Sequence, residues 1–175
     1  MKRYTFKVLL LGAATVGKTS IFYRYVKNKF SHDYITTIGI NYLTKEITLE
    51  AKKIAKLVIL DIAGHEKFKF LRKEFYEGAD GALVIFDLTQ LKTYEAIEDW
   101  LSEMFEILQE NIPFIIIGNK VDLVEEVTRS IDKDIVKDYA ENKGSMYLET
   151  SAKTGEKVEE VFKELTHLMI KRISK

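Results

Sequence analysis

The chain has 175 residues, nearly half of them apolar, with 27 basic and 27 acidic side chains. That is enough for one domain with a full core, spanning residues 1–175, and the balanced charge leaves no basic footprint for nucleic acid. With no cysteine there is no disulfide framework, thiolate nucleophile or cysteine-held metal, and no apolar run approaches the roughly 20 residues of a membrane span.

The first apolar run, Val8 to Leu11, leads into Gly12-Ala13-Ala14-Thr15-Val16-Gly17-Lys18-Thr19 and then a helical pattern of Ile21, Phe22, Tyr25 and Val26. This fits G-x-x-x-x-G-K-[ST], the phosphate-binding loop, in the strand–loop–helix setting that the motif needs. Gly12 and Gly17 let the backbone turn tightly and bring its N–H groups near phosphate oxygens. The following helix aims its positive end at the same place. Lys18 is expected to reach the β- and γ-phosphates and the Thr19 hydroxyl to hold Mg²⁺. Ala14, Thr15, Val16, Gly17 and Ser20 complete the expected phosphate contacts.

Between that helix and the next run lie Phe30, Tyr34 and Thr37. Thr37 is expected to complete the Mg²⁺ shell and Phe30 to stack on the base; for Tyr34, packing and nucleotide contact are equally open. Residues 38–60 mix apolar and polar positions at first, including Ile40, Tyr42, Ile47 and Leu49. They read as an edge strand joined by a hairpin near Glu50-Ala51-Lys52 to a buried run ending at Leu60. Asp61 closes that run. A buried strand should not end in an unpaired charge without reason, and a carboxylate here matches the Walker-B role on Mg²⁺. Gly64 follows, placed to offer its backbone N–H to the γ-phosphate.

The remaining chain repeats a short apolar run followed by a helical pattern. Ala82 to Phe86 precedes Tyr94, Ile97, Leu101, Met104, Phe105 and Leu108, with Trp100 expected to pack. Phe114 to Ile117 precedes Ile131, Ile135 and Tyr139, with Gly144 as a helix C-cap. Met146 to Leu148 precedes Val158, Val161, Phe162, Leu165, Leu168 and Met169. Short, uniformly apolar strands alternating with helices predict an α/β fold. The expected sheet has six strands, mostly parallel with one antiparallel edge strand, flanked by about five helices. Gly12, Asp61, Asn119 and Ser151 then share the carboxyl edge of the sheet, where open α/β sheets bind ligands.

Two motifs at that edge concern the base. Asn119-Lys120-Val121-Asp122 follows the fourth parallel run. The Asp122 carboxylate is suited to accept from the guanine ring N–H and exocyclic amine, which adenine lacks, so a mismatched base would leave it unpaired. Lys120 would lie along the base and Asn119 would tie loops together. In Ser151-Ala152-Lys153 the Ala152 N–H would donate to the guanine carbonyl and Lys153 would cover the ring. A phosphate-loop kinase is disfavoured by this base motif and by the lack of an arginine-rich lid.

These five separated motifs, in this order, resemble the Ras superfamily of small GTPases over essentially the whole chain. Tyr34 with Thr37-Ile38-Gly39, Phe75-Tyr76-Glu77-Gly78-Ala79-Asp80-Gly81 and Trp100-Leu101 are similar to the Rab branch. The resemblance implies a G domain of the P-loop NTPase type that binds GTP and GDP with Mg²⁺, hydrolyses GTP slowly and recruits effector proteins in the GTP state. It implies switch I at 30–37, switch II from Ala63 to about Tyr76, exchange factors, a GTPase-activating protein and vesicle trafficking. Catalytic roles fall to Lys18, Thr37, Gly64 and His65, and metal ligation to Thr19, Thr37 and Asp61. His65 stands where the family usually has a water-positioning glutamine. Either its imidazole takes that role, or it faces solvent and the protein is a GTP-dependent binding module with negligible hydrolysis. Leu60 replaces a tryptophan usual in Rab proteins, and Phe68, Phe70, Leu71 and Phe75 are either partly core or a docking patch. There is no prenylation cysteine, so a cytoplasmic protein without a stable membrane anchor is expected from this sequence, with membrane association only if a lipidated tail is missing from it.

Overall fold

The computed structural model describes residues 2–31, 37–50 and 53–174. Six strands form one sheet: β1 (Lys2–Leu11), β2 (Ile40–Leu49), β3 (Lys53–Ile62), β4 (Gly81–Asp87), β5 (Phe114–Asn119) and β6 (Met146–Thr150). Their spatial order is β2-β3-β1-β4-β5-β6. Every neighbouring pair is parallel except β2 and β3, which pair antiparallel from Ile40 opposite Ile62 to Leu49 opposite Lys53. The expected antiparallel edge strand is therefore β2. Glu50 lies in the turn; Ala51 and Lys52 are outside the described residues.

The helices are α1 (Lys18–Lys27), α2 (Lys69–Tyr76), α3 (Leu91–Glu95), α4 (Ile97–Leu108), α5 (Lys133–Asn142) and α6 (Val158–Ile173). α3 and α4 adjoin at Ala96, so they form two parts of the one helical pattern expected there. Counted together, five helices flank the sheet among the described residues. Alternation along β1 divides the core in two. Val8 and Leu10 join Ile21 and Phe22 of α1 and Phe162 and Leu165 of α6. Leu9 and Leu11 face the other way, with Trp100 and Met104 of α4 and Val136 of α5. All seven residues of β4 are buried, as a central strand covered on both faces requires.

The strands run longer than the apolar runs that announced them. β1 begins at Lys2 because backbone pairing with Lys53 onward continues after side-chain burial has ended. The phase of α5 also differs from the expected stripe. Val136 and Ala140 are its buried positions, whereas Ile135 is 56% exposed. Asp132 caps this helix, its side chain accepting from the Asp134 N–H at 2.8 Å; packing of Val136 and Ala140 on the core leaves Ile135 facing outward. Gly144 takes a left-handed φ of +71° one residue beyond the C-cap Lys143, the conformation glycine favours there.

Candidate nucleotide site

Gly12 follows the last residue of β1, and the phosphate loop runs from there into the first turn of α1. A side chain at Gly12 would meet the Ile85 carbonyl oxygen at 2.1 Å, and one at Gly17 the Asn119 amide at 2.2 Å. Both glycines also carry left-handed φ values, +143° and +100°. Thr15 shares that backbone region at φ 71°, a feature that its residue type does not announce. Val16 is fully buried, Ala14 and Ser20 are half-buried, and Thr15 is exposed. The Lys18 ammonium donates to the carbonyls of Gly12 and Ala13, each at 2.7 Å. Burial lowers its pKa to about 8; the Asp61 charge opposes that shift and Arg72 adds to it. The cation is thus held directly beneath the loop it would share with phosphate.

Beside it is a corner of oxygen donors. Thr19 Oγ1 donates to Asp61 Oδ2 at 2.5 Å and lies 2.7 Å from Thr37 Oγ1, which is itself 3.5 Å from the same carboxylate oxygen. Asp61 is fully buried near the end of β3, and its Oδ1 has no hydrogen-bond partner among the described residues. Burial raises its pKa, against the Thr19 hydroxyl, the Lys18 charge and the Thr37 hydroxyl. A buried, unsatisfied carboxylate oxygen next to two hydroxyls is a hard-oxygen set suited to Mg²⁺. The three residues expected as metal ligands are brought together, although they come from α1, the segment before β2, and β3.

Gly64 lies against the phosphate loop. A side chain there would sit 2.5 Å from the Ala14 nitrogen and 2.6 Å from the Gly12 oxygen. His65 follows, half-buried, just before a 3-10 turn at Glu66–Phe68. Its carbonyl accepts from the Arg72 guanidinium at 3.1 Å. Arg72, on α2, is 2% exposed, stacks at 4.2 Å over Trp100 and pairs with Glu103 at 3.1 Å. Trp100 packs, as expected, but against a buried cation.

At the base end, Asn119 ties loops together in the way anticipated. Its Nδ2 donates to the Val16 carbonyl at 2.9 Å, and its Oδ1 accepts from Thr150 Oγ1 at 3.0 Å and the Ala152 N–H at 3.3 Å. Ala152, expected to donate to the base, therefore donates within the protein here. Ser151 Oγ donates to Asp122 Oδ1 at 2.6 Å. Lys120, in a left-handed conformation, ends 2.6 Å from Asp87 Oδ2. Phe30 is half-buried against the core that contains α1 and α6. Lys153 is exposed. Tyr34 lies outside the described residues.

Three contributors escaped the sequence reading. Asp87 ends the buried run of β4 just as Asp61 ends that of β3, and the same signal was available. It accepts from the Thr89 N–H at 2.8 Å and anchors Lys120. Arg24 and Arg72 carry no local signal, since their partners are remote in sequence.

The arrangement places a buried lysine, a carboxylate–hydroxyl corner and a second carboxylate along one sheet edge. The family profile described as Ras family matches residues 7–171. The chain belongs to the Ras family. Among relatives of this Ras-family chain, Ras-related protein Rab-25 of Bos taurus is 38% identical over 172 residues, covering 98% of this chain and 79% of that protein. Ras-related protein Rab-21 of Bos taurus is 38% identical over 169 residues, covering 97% and 75%. Human Rab-25 is 37% identical over 172 residues. This is a small GTPase of Rab-like type. No helix among the described residues is long and apolar enough to cross a membrane.

The apolar residues of the segment after Gly64 differ in burial. Phe68, Leu71 and Phe75 are half-buried, while Phe70 is 77% exposed. Ile38 and Tyr42 are also exposed. Leu60, in the place of the usual tryptophan, is buried in the core that also holds Trp100 and Met104 of α4.

Proposed function

We propose that this GTPase binds GDP and GTP with Mg²⁺, hydrolyses GTP slowly, and engages effector proteins through residues 37–42 and α2 while GTP is bound. The observation that carries the reading is the meeting of Thr19, Thr37 and Asp61 around a buried carboxylate oxygen that lacks a partner. Mg²⁺, when bound, would neutralise charge on the β- and γ-phosphates. The protein's own groups do the rest. Lys18 exchanges the carbonyls of Gly12 and Ala13 for phosphate oxygens and stabilises charge in the transition state. The Gly64 N–H donates to the γ-phosphate. Asp122 reads the guanine amine and ring N–H, Lys120 and Phe30 bound the base, and the phosphate-loop residues 14–20 supply N–H groups. His65 orients the attacking water through its imidazole.

A bound γ-phosphate would strengthen the hold of Thr37 and Gly64 on their segments, and hydrolysis would loosen it. Exposed Ile38, Tyr42 and Phe70 then belong to a surface that changes with the nucleotide, as effector recruitment demands. An exchange factor and an activating protein are the matching regulators. Any catalytic arginine would come from that activating protein, and a role in vesicle trafficking follows from the Rab likeness.

Single-turnover hydrolysis of bound GTP tests the assignment. Wild type should turn over on the order of 10⁻⁴ s⁻¹ without an activator, His65→Ala should be at least several-fold slower, and His65→Gln should retain turnover. Equal rates for wild type and His65→Ala would remove His65 from the mechanism.

A further inference from the structure

Arg24 lies on α1, in the turn after Thr19, yet its guanidinium reaches the loop that follows β6. Its Nε donates to the Ala152 carbonyl at 2.8 Å and one terminal nitrogen donates to the Lys153 carbonyl at 2.5 Å. The other terminal nitrogen donates to Asn28 Oδ1 at 3.1 Å. Asn28 is the left-handed C-cap of α1, two residues before Phe30. One planar side chain therefore fastens the Ser151–Ala152–Lys153 loop, one wall of the space assigned to the base, to α1, and also bonds the C-cap of its own helix. The same helix carries Lys18 and Thr19 at its first turn, so the fastening also sets the spacing between the base end and the phosphate end.

We propose that Arg24 is a positioning residue for nucleotide retention: it holds the base-binding loop against α1, and so controls how slowly guanine nucleotide leaves. It touches neither base nor phosphate; it acts through Ala152, Lys153 and Asn28. The geometry calls for arginine in particular. A guanidinium offers five N–H donors in a fixed fork, whereas a lysine ammonium is a single point that cannot span two carbonyls and an amide in one plane. The inference rests on the assignment of Asp122 to the base.

Dissociation of fluorescent GDP from its Mg²⁺ complex, followed after adding excess unlabelled GDP, tests it. Arg24→Ala should release GDP at least tenfold faster, and Arg24→Lys at least threefold faster. Binding of Mg²⁺-pyrophosphate to the nucleotide-free protein, which uses the phosphate end alone, should stay within twofold of wild type in both variants. Asp122→Ala serves as the control for the base assignment and should also speed GDP release. Unchanged release from Arg24→Ala while Asp122→Ala accelerates would overturn the role of Arg24 alone. Unchanged release from Asp122→Ala would overturn the base assignment and the inference with it. Equal losses of GDP and pyrophosphate binding in Arg24→Ala would mean a general structural role and would also overturn the proposal. If Arg24→Ala does not fold, Arg24→Lys decides by the same criteria.

Discussion

Asn119 and Val16 are 103 residues apart in sequence and joined by a buried hydrogen bond, Nδ2 to carbonyl oxygen at 2.9 Å. The bond links the end of β5, where the base motif begins, to the middle of the phosphate loop. The amide oxygen meanwhile holds Thr150 and Ala152. Asn119→Ala removes all three contacts and leaves the Val16 carbonyl and the Ala152 N–H without their protein partner. The expected cost is about 1–3 kcal/mol of stability in urea denaturation, with GDP dissociation at least tenfold faster. A variant that kept wild-type stability and release would show the loops to be independently rigid.

Arg72 makes a second long-range prediction. Its charge is buried between the Trp100 ring and the Glu103 carboxylate, with Nε unpartnered among the described residues. Removing one member of a buried pair strands the other, so Arg72→Ala should cost about 3 kcal/mol. Arg72→Met keeps an unbranched chain against Trp100 and should cost distinctly less. Both should slow GTP hydrolysis relative to nucleotide affinity, because each frees the His65 carbonyl from its donor. Chemical denaturation with saturating GDP, beside single-turnover rates, checks the two orderings.

Protonation offers a third test. Burial brings the Lys18 pKa down to about 8 and pushes that of Asp61 up. A depressed lysine contributes stability that is lost as pH falls through about 8. A raised carboxylate contributes stability that is present below its unfolded pKa and lost as pH rises through its folded pKa. At neutral pH the burial of Lys18 and that of Asp61 thus both weaken the nucleotide-free protein, and phosphate and Mg²⁺ would relieve that cost. Binding GDP at pH 8.5 should take up a fraction of a proton as Lys18 becomes fully charged, seen as calorimetric enthalpies that differ between buffers of different ionisation enthalpy. Asp61→Asn should stabilise the nucleotide-free protein at pH 7 and abolish at least tenfold of the Mg²⁺ dependence of GDP retention. Buffer-independent enthalpies would contradict the state assigned to Lys18.

Local chemistry was readable in the sequence. The phosphate loop, the strand-ending Asp61 and the base motif each lie within a few residues, and apolar periodicity placed them on one sheet edge. What escaped was tertiary pairing. Nothing near Arg24 announces Ala152, which is 128 residues away, and nothing near Arg72 announces Trp100. The outward turn of Ile135 follows from Val136 and Ala140 packing on the core, a choice of face that periodicity alone does not fix. The Ala152 N–H, which the motif points toward the base, has an internal acceptor in Asn119 Oδ1 at 3.3 Å, 33 residues away in sequence.

The most direct test of the whole account is nucleotide selectivity. Affinities for GDP, GTP and ATP should be measured with Mg²⁺ on wild type and on Asp122→Asn, with xanthosine diphosphate added for the variant. The account predicts that wild type binds guanine nucleotides at least a thousandfold more tightly than ATP, and that Asp122→Asn shifts preference toward xanthine. Equal affinity for ATP and GTP, or no shift in the variant, would contradict it.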